Sequence, residues 1–138
     1  YTRRCFDHLD PIAAFAFIPP VPGLDRNIAR RTVLDVAKKW NWEEVWGWDF
    51  PLMAMGAARM GEPGIAIDAL LKTSHKNRYD ERGICLGPGI PYLPGNGGLL
   101  YATAMMAAGW DDAPNRHAPG FPDDGSWAVR WEGLNPAP

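Results

Sequence analysis

Residues 40–51, WNWEEVWGWDFP, set three carboxylates among four of the chain's seven tryptophans. Glu43, Glu44 and Asp49 supply acid, while Trp40, Trp42, Trp46 and Trp48 supply broad apolar faces. Burying such rings would drag the carboxylates out of water, which is costly for an unpaired charge. The mixture suits a ligand that is itself both apolar and polar. A sugar has C–H faces that stack on aromatic rings and hydroxyls that hydrogen-bond to carboxylates, and cleavage of a glycosidic bond uses acid and base carboxyl groups. A structural reading competes. Tryptophan clusters also fill the seams between packed elements, and Asp49, followed by Phe50 and Pro51, has the pattern of a helix N-cap.

The remaining composition narrows the alternatives. A chain of 138 residues fits one ordinary domain with a real core. A net charge of −2 with no basic block gives no electrostatic footprint for nucleic acid or an anionic membrane, so neither is an expected partner. No run of about 18 apolar residues is present, and the N-terminus lacks the pattern of a signal peptide. The chain starts at Tyr1 without an initiator methionine, which suggests a processed or partial chain. Cys5 and Cys85 are too few for a disulfide framework, and their pairing stays open. His8, His75 and His117 stand at no metal-ligand spacing, and neither HExxH, CxxC nor a phosphate-binding glycine loop occurs. No metal or cofactor is expected.

The elements that must position the acidic tryptophan segment follow from periodicity. Residues 1–10 are polar and uninformative. IAAFAFI at 12–18, bounded by Pro11 and by Pro19 and Pro20, is expected as a packed extended segment. Asp25 is a plausible N-cap for an amphipathic helix to about Lys39, with Ile28, Ala29, Val33, Val36, Ala37 and Trp40 on one side and mostly charged residues on the other. Asp49 starts a second helix, running through LMAMGAARM to Gly61, with Arg59 its only charge after the first residue; it should be buried on all sides. Pro63 opens a third, half-wet helix to about Lys72. Residues 73–98 are expected as a long connection, too rich in proline and glycine for regular structure in its LGPGIPYLPGNGG portion. A fourth helix, LLYATAMMAA at 99–108, carries no charge and should also be buried. In the last stretch, Trp127, Val129 and Trp131 alternate with Ala128 and Arg130, which predicts a strand after a turn at Asp124 and Gly125.

Wet and dry helices alternate in this order, which describes outer helices shielding inner ones. If successive helices are antiparallel, residues 40–51 and 73–98 lie at one end and face each other across a common mouth. Tyr92 and Asn96 are then candidate ligand contacts beside a backbone stripped of side chains by Gly95, Gly97 and Gly98. The competing reading is that these glycines only let the chain turn sharply into the fourth helix.

The motifs WNWEEVWGWDFPLMAMGAARMG, AIDALL, YLPGNGGLLYATAMMAAGW and PGFPDDGSWAVRWEGL together resemble the C-terminal part of the catalytic domain of six-hairpin, (α/α)6-barrel glycosidases, in particular bacterial proteins grouped with glycoside hydrolase families 65 and 95. The resemblance covers roughly residues 25–134. It implies a mainly α fold: a partial (α/α)6 toroid over residues 1–110, and a short C-terminal β segment over 111–138 that begins a β-domain or linker. It also implies that the second and fourth helices are inner barrel helices, that an N-terminal barrel portion of the same polypeptide is missing, and that the parent is periplasmic or secreted. Gly95 and Asn96 match the G-N of a D-G-N-F-G-G loop whose Asp supports the catalytic base in fucosidase-like members; that Asp position falls on Pro94, which can neither accept a proton nor orient an amide.

The expected function is therefore that of a fragment of a glycoside hydrolase acting on an oligosaccharide or polysaccharide, inverting, with carboxyl groups about 6.5–9.5 Å apart. Glu43 is the candidate base or substrate-orienting group, Asp49 is either a site residue or a helix cap, and Trp42, Trp46, Trp48, Tyr92 and Asn96 are the candidate substrate-binding residues. The general acid is expected in the missing portion. Alternatives are a non-catalytic carbohydrate-binding protein, a phosphorylase of the same fold, and a structural helical module with internally packed tryptophans.

Overall fold

The computed structural model describes residues 5, 7–19 and 21–138. The chain is mainly α-helical, with five helices and one small hairpin among these residues: α1 (Asp10–Ala16), α2 (Arg26–Lys39), α3 (Asp49–Arg59), α4 (Pro63–Leu71), β1 (Arg78–Tyr79), β2 (Cys85–Leu86) and α5 (Leu93–Ala108). Helix α3 lies at the centre and packs against the other four. Every one of its residues is buried, as its near-absence of charge predicts.

The amphipathic helix α2 begins as expected. Asp25 is its N-cap and accepts from the backbone N–H groups of Asn27 and Ile28, which satisfies two donors that have no partner inside the helix. Ala29, Val33 and Val36 form its buried stripe. Helix α4 starts at Pro63, whose missing N–H costs nothing in the first turn, and buries Ala66, Ile67 and Ala69.

Five expectations need correction. The apolar run after Asp10 is not extended: residues 10–16 form α1, with Pro11 in the first turn, while Pro20 lies outside the described residues. Helix formation here lets Ile12, Phe15 and Ala16 face α3 together. Gly56 makes room for them, because a Cβ there would stand 2.5 Å from Ile12 Cγ2. Residues 73–98 are not irregular throughout, since β1 and β2 pair antiparallel with Arg78 opposite Leu86 and Tyr79 opposite Cys85. Asp80 closes that hairpin by accepting from the N–H groups of Arg82 and Ile84, both at 3.0 Å.

The fourth sequence-predicted helix, α5, starts six residues early, at Leu93 rather than Leu99, taking in LPGNGG. Pro94 is tolerated in its first turn. Two of the glycines give close approach rather than a bend: a Cβ on Gly95 would lie 2.6 Å from Cys85 Sγ, and one on Gly98 would lie 2.7 Å from Pro51 Cγ. Nor is α5 buried all round. Its packed side carries Gly95, Ala102, Met105 and Met106, but Leu93 is 64% and Leu100 72% exposed. Its neighbours, α3 and the hairpin, cover one side of an apolar helix and leave the other open.

The strand expected at 127–131 does not form. Those residues have no ladder partner; they are held through side chains, with Trp127 against Phe121 and Trp131 stacked on His117 at 4.5 Å between centroids. The C-terminal stretch folds back on the end of α5, where Gly120 donates to Met106 and Ala137 donates to Gly109. Gly120 is pressed so closely that a Cβ would meet Met106 Cα at 2.5 Å. Arg59 fastens α1 and the chain's last residue to α3 through the carbonyls of Ala16 and Pro138.

Candidate functional site

The acidic tryptophan segment follows α2 and is held by backbone turns before α3 begins. It does face the hairpin and the start of α5. Trp46 and Tyr92 lie ring against ring at 5.2 Å between centroids, and Gly47 is buried beneath them because any Cβ would strike Cys85 Sγ at 2.8 Å and the Lys76 carbonyl at 3.0 Å. Lys76 spans the two segments. Its ammonium donates to the Glu44 carbonyl at 2.6 Å, lies 3.6 Å from the Glu44 carboxylate and sits 5.2 Å from the Trp46 ring centroid. Cation and ring attract here through the ring's negative face.

The aromatic candidates separate into three places. Trp46 and Tyr92, both half-buried, meet where the two segments face each other, with Lys76 and Glu44 beside them. Trp42 points elsewhere: its indole N–H donates to Ala37 at 3.2 Å, its ring packs on Phe50, and it borders a cavity of about 110 Å³ between α2 and α4. Trp48 lines an open, strongly apolar cleft of about 230 Å³ with Phe17, Leu52, Met55, Pro94 and Tyr101. Glu43 is exposed, its backbone N–H held by Asn41 Oδ1. Asn96 is committed to the fold, since its side-chain oxygen accepts from Cys85 N–H at 2.8 Å and its amide donates to Gly83 O at 2.7 Å.

Asp49 is not the cap of α3. Trp48 occupies that position and Asp49 is the first helical residue, with its side chain turned away from the helix and fully buried. Its Oδ1 accepts from Leu9 N–H at 3.1 Å, and Oδ2 accepts from Trp46 N–H at 3.0 Å and lies 3.1 Å from His8 Nδ1. Burial pushes its pKa up, against the opposing pull of these partners. The Tyr92 phenol is pushed up in turn, by burial first and then by the charge of Asp49.

His8, Lys76 and Tyr101 were not among the site candidates drawn from the sequence. His8 stands 41 residues from Asp49, and only the packing of the N-terminal segment against α3 brings them together. No local spacing could have signalled it. Lys76 lay in a polar stretch whose hairpin was not foreseen, and Tyr101 sat in a helix expected to be enclosed.

The two cysteines are not joined: Cys85 is a buried free thiol, and burial raises its pKa. Among the described residues, no group of three or more His, Cys, Asp or Glu is assembled in a way that could hold a metal ion. None of the described helices is long and apolar enough to cross a membrane. Comparison with protein-family models, with curated proteins and with solved structures finds no match to this chain.

Proposed function

We propose that this chain is a sector of an (α/α)6-barrel glycoside hydrolase that binds an oligosaccharide at its aromatic mouth and cleaves it, with inversion, by carboxylate acid–base chemistry. The observation that carries the reading is the face-to-face meeting of the tryptophan segment with the YLPGNG segment. Half-buried Trp46 and Tyr92 offer stacking faces there, and Lys76 and Glu44 offer hydrogen bonds to hydroxyls. Exposed Glu43 is the acid–base or orienting carboxylate of that segment. Trp48 extends the aromatic surface toward the cleft. The open apolar side of α5 supports the ring assignment, in which further inner helices from a portion of the same polypeptide would lie against it.

One observation favours a second reading, a carbohydrate-binding protein without turnover. Asp49 is buried with both oxygens engaged, and Pro94 stands where the resembled family carries an acid, which leaves Glu43 as the free carboxylate among the candidates.

A panel of oligosaccharides, assayed for reducing-end release and for changes in tryptophan emission, separates the readings. Hydrolysis that is lost in Glu43→Gln while the emission change persists is the expected result. An emission change lost in Trp46→Ala, with no hydrolysis by any variant, selects the binding reading. Neither response across the panel overturns both.

A further inference from the structure

Three groups meet at one ring nitrogen. His8 Nδ1 lies 3.1 Å from Asp49 Oδ2 and 3.1 Å from Trp48 Nε1. An indole N–H only donates, so Trp48 requires a lone pair on Nδ1; an ionised carboxylate only accepts, so Asp49 requires a proton on that same atom. The two demands conflict while Asp49 is ionised. They agree once the proton sits on Asp49 Oδ2: the carboxylic acid and the indole then share the single lone pair of Nδ1 in a three-centre contact, and the imidazole keeps its proton on Nε2.

The surroundings lean the same way. Asp49 is 0% exposed, and among the described residues no lysine or arginine is hydrogen-bonded or ion-paired to it. A charge buried without a cation is costly, and a shared proton removes it. The other ionisable groups in the vicinity are Asp7, whose carboxylate is 3.9 Å from His8 Nε2, and the Tyr92 phenol, on which the Asp49 charge acts. His8 itself is partly open to solvent, with 41% of its side chain exposed, and its ring lies 5.5 Å from that of Trp48.

We infer that His8 and Asp49 form a proton-transfer pair, with His8 Nε2 as its outlet to a hydroxyl-bearing ligand beside Trp48 and the Trp48 indole N–H favouring the proton-loaded state. In the unloaded state Asp49 is ionised, Nδ1–H donates to it, and Nε2 carries a lone pair. A ligand hydroxyl or a water passes its proton to Nε2, the Nδ1 proton moves to Asp49 Oδ2, and the Trp48 N–H meets the lone pair left on Nδ1. The pair gains one proton, the hydroxyl loses one, and the O–H electron pair stays on that oxygen for bond formation. Run backwards, the same path protonates a leaving oxygen. The buried centre passes from one negative charge to none, so no separated charge develops inside the protein. Asp49 acts through His8 and is a positioning residue. Any alcohol or water can serve as the proton partner, so the inference stands apart from the glycan reading.

The test is nuclear magnetic resonance on uniformly labelled chain between pH 5 and pH 9. Long-range nitrogen–proton correlations report which His8 nitrogen is protonated, the Asp49 Cγ shift reports acid or carboxylate, and the Trp48 indole N–H reports its acceptor. As pH falls, Nδ1 should lose its proton while Nε2 gains one, opposite to an ordinary imidazole, with Asp49 Cγ and the Trp48 N–H moving at the same midpoint. In Trp48→Phe the shared midpoint should drop by about half to one pH unit, the equivalent of one ordinary hydrogen bond. In His8→Gln the Trp48 signal should lose its pH dependence. Nδ1 protonated throughout, Nε2 titrating alone and Asp49 a carboxylate across the range would overturn the pair. An unchanged midpoint in Trp48→Phe would overturn the part given to the indole.

Discussion

The side-chain oxygen of Asn96 accepts the backbone N–H of Cys85 at 2.8 Å, while the Cys85 carbonyl accepts the backbone N–H of Tyr92 at 2.7 Å, so the hairpin is fastened to the start of α5 by a side chain as well as by backbone. The same amide donates to Gly83 at 2.7 Å and thereby holds both ends of the turn-and-strand unit. Replacing Asn96 by Ala removes both bonds and leaves the N–H of Cys85 without this partner. The expected loss is about 1–3 kcal/mol in equilibrium urea unfolding. A loss below about 0.5 kcal/mol would mean that the hairpin is held by something else.

Gly95 and Gly97 are two residues apart in α5 and should respond with opposite signs. A Cβ on Gly95 would stand 2.6 Å from Cys85 Sγ and 3.1 Å from Cys85 Cβ, inside the buried seam. Gly95→Ala is expected to destabilise by about 1–3 kcal/mol through overpacking. A Cβ on Gly97 would meet nothing within 4 Å, and Gly97→Ala should stabilise the helix by up to about 1 kcal/mol. Thermal unfolding of the two variants checks this. A destabilising Gly97→Ala would show that the first turns of α5 are not helical in solution.

Asp49 gives the chain an unusual pH slope. Burial holds its folded pKa above the ordinary 3.8, so the folded chain binds this proton more tightly than the unfolded chain does. The contribution is fully present below the unfolded value and is lost as pH rises from about 3.8 through the folded pKa, after which it is constant. Asp80 and Asp124, whose carboxyls are drawn below their usual range by hydrogen bonds, act in the reverse sense as pH falls. Urea unfolding of the parent and Asp49→Asn at several pH values isolates the Asp49 part: the stability advantage of the parent should shrink with rising pH. An advantage that grows with pH would show that His8 and the backbone donors outweigh burial.

Arg59 is 4% exposed, and its guanidinium donates to the carbonyls of Ala16 and Pro138. Burial lowers its pKa, but it has hydrogen-bonded acceptors on both sides. Arg59→Met fills similar space and strands those carbonyls, so a loss of about 2–4 kcal/mol is expected. Chemical denaturation measures it; a loss under about 1 kcal/mol would indicate that both carbonyls find water instead.

Much of the helical framework was legible because burial writes a period. Ala29, Val33 and Val36 recur at helical spacing, and Asp25 caps the run. The uncharged stretch after Asp49 announced a helix buried on every side. Residues 93–98 were misread because glycine and proline lower helix propensity locally, while the close approach to Cys85 and Pro51 that selects glycine there is a tertiary fact. The alternation of Trp127, Val129 and Trp131 suggested a strand, yet alternation alone supplies no partner strand, and His117 and Phe121 took up two of the rings instead. The meeting of Trp46 with Tyr92 was legible on the assumption that successive helices are antiparallel. The His8–Asp49 contact depended on residues 41 apart and had no local signature.

Helix α3 is buried at every position, even where Leu52 and Met55 border the open cleft, so water has little access to its amides. Each N–H of α3 past its first turn is shielded by α1, α2, α4 and α5, so partial openings that lift one neighbour leave it covered by the others. Its deuterium uptake is therefore tied to the opening of the whole assembly, and the slowest-exchanging amides of α3 keep time for the chain's complete unfolding.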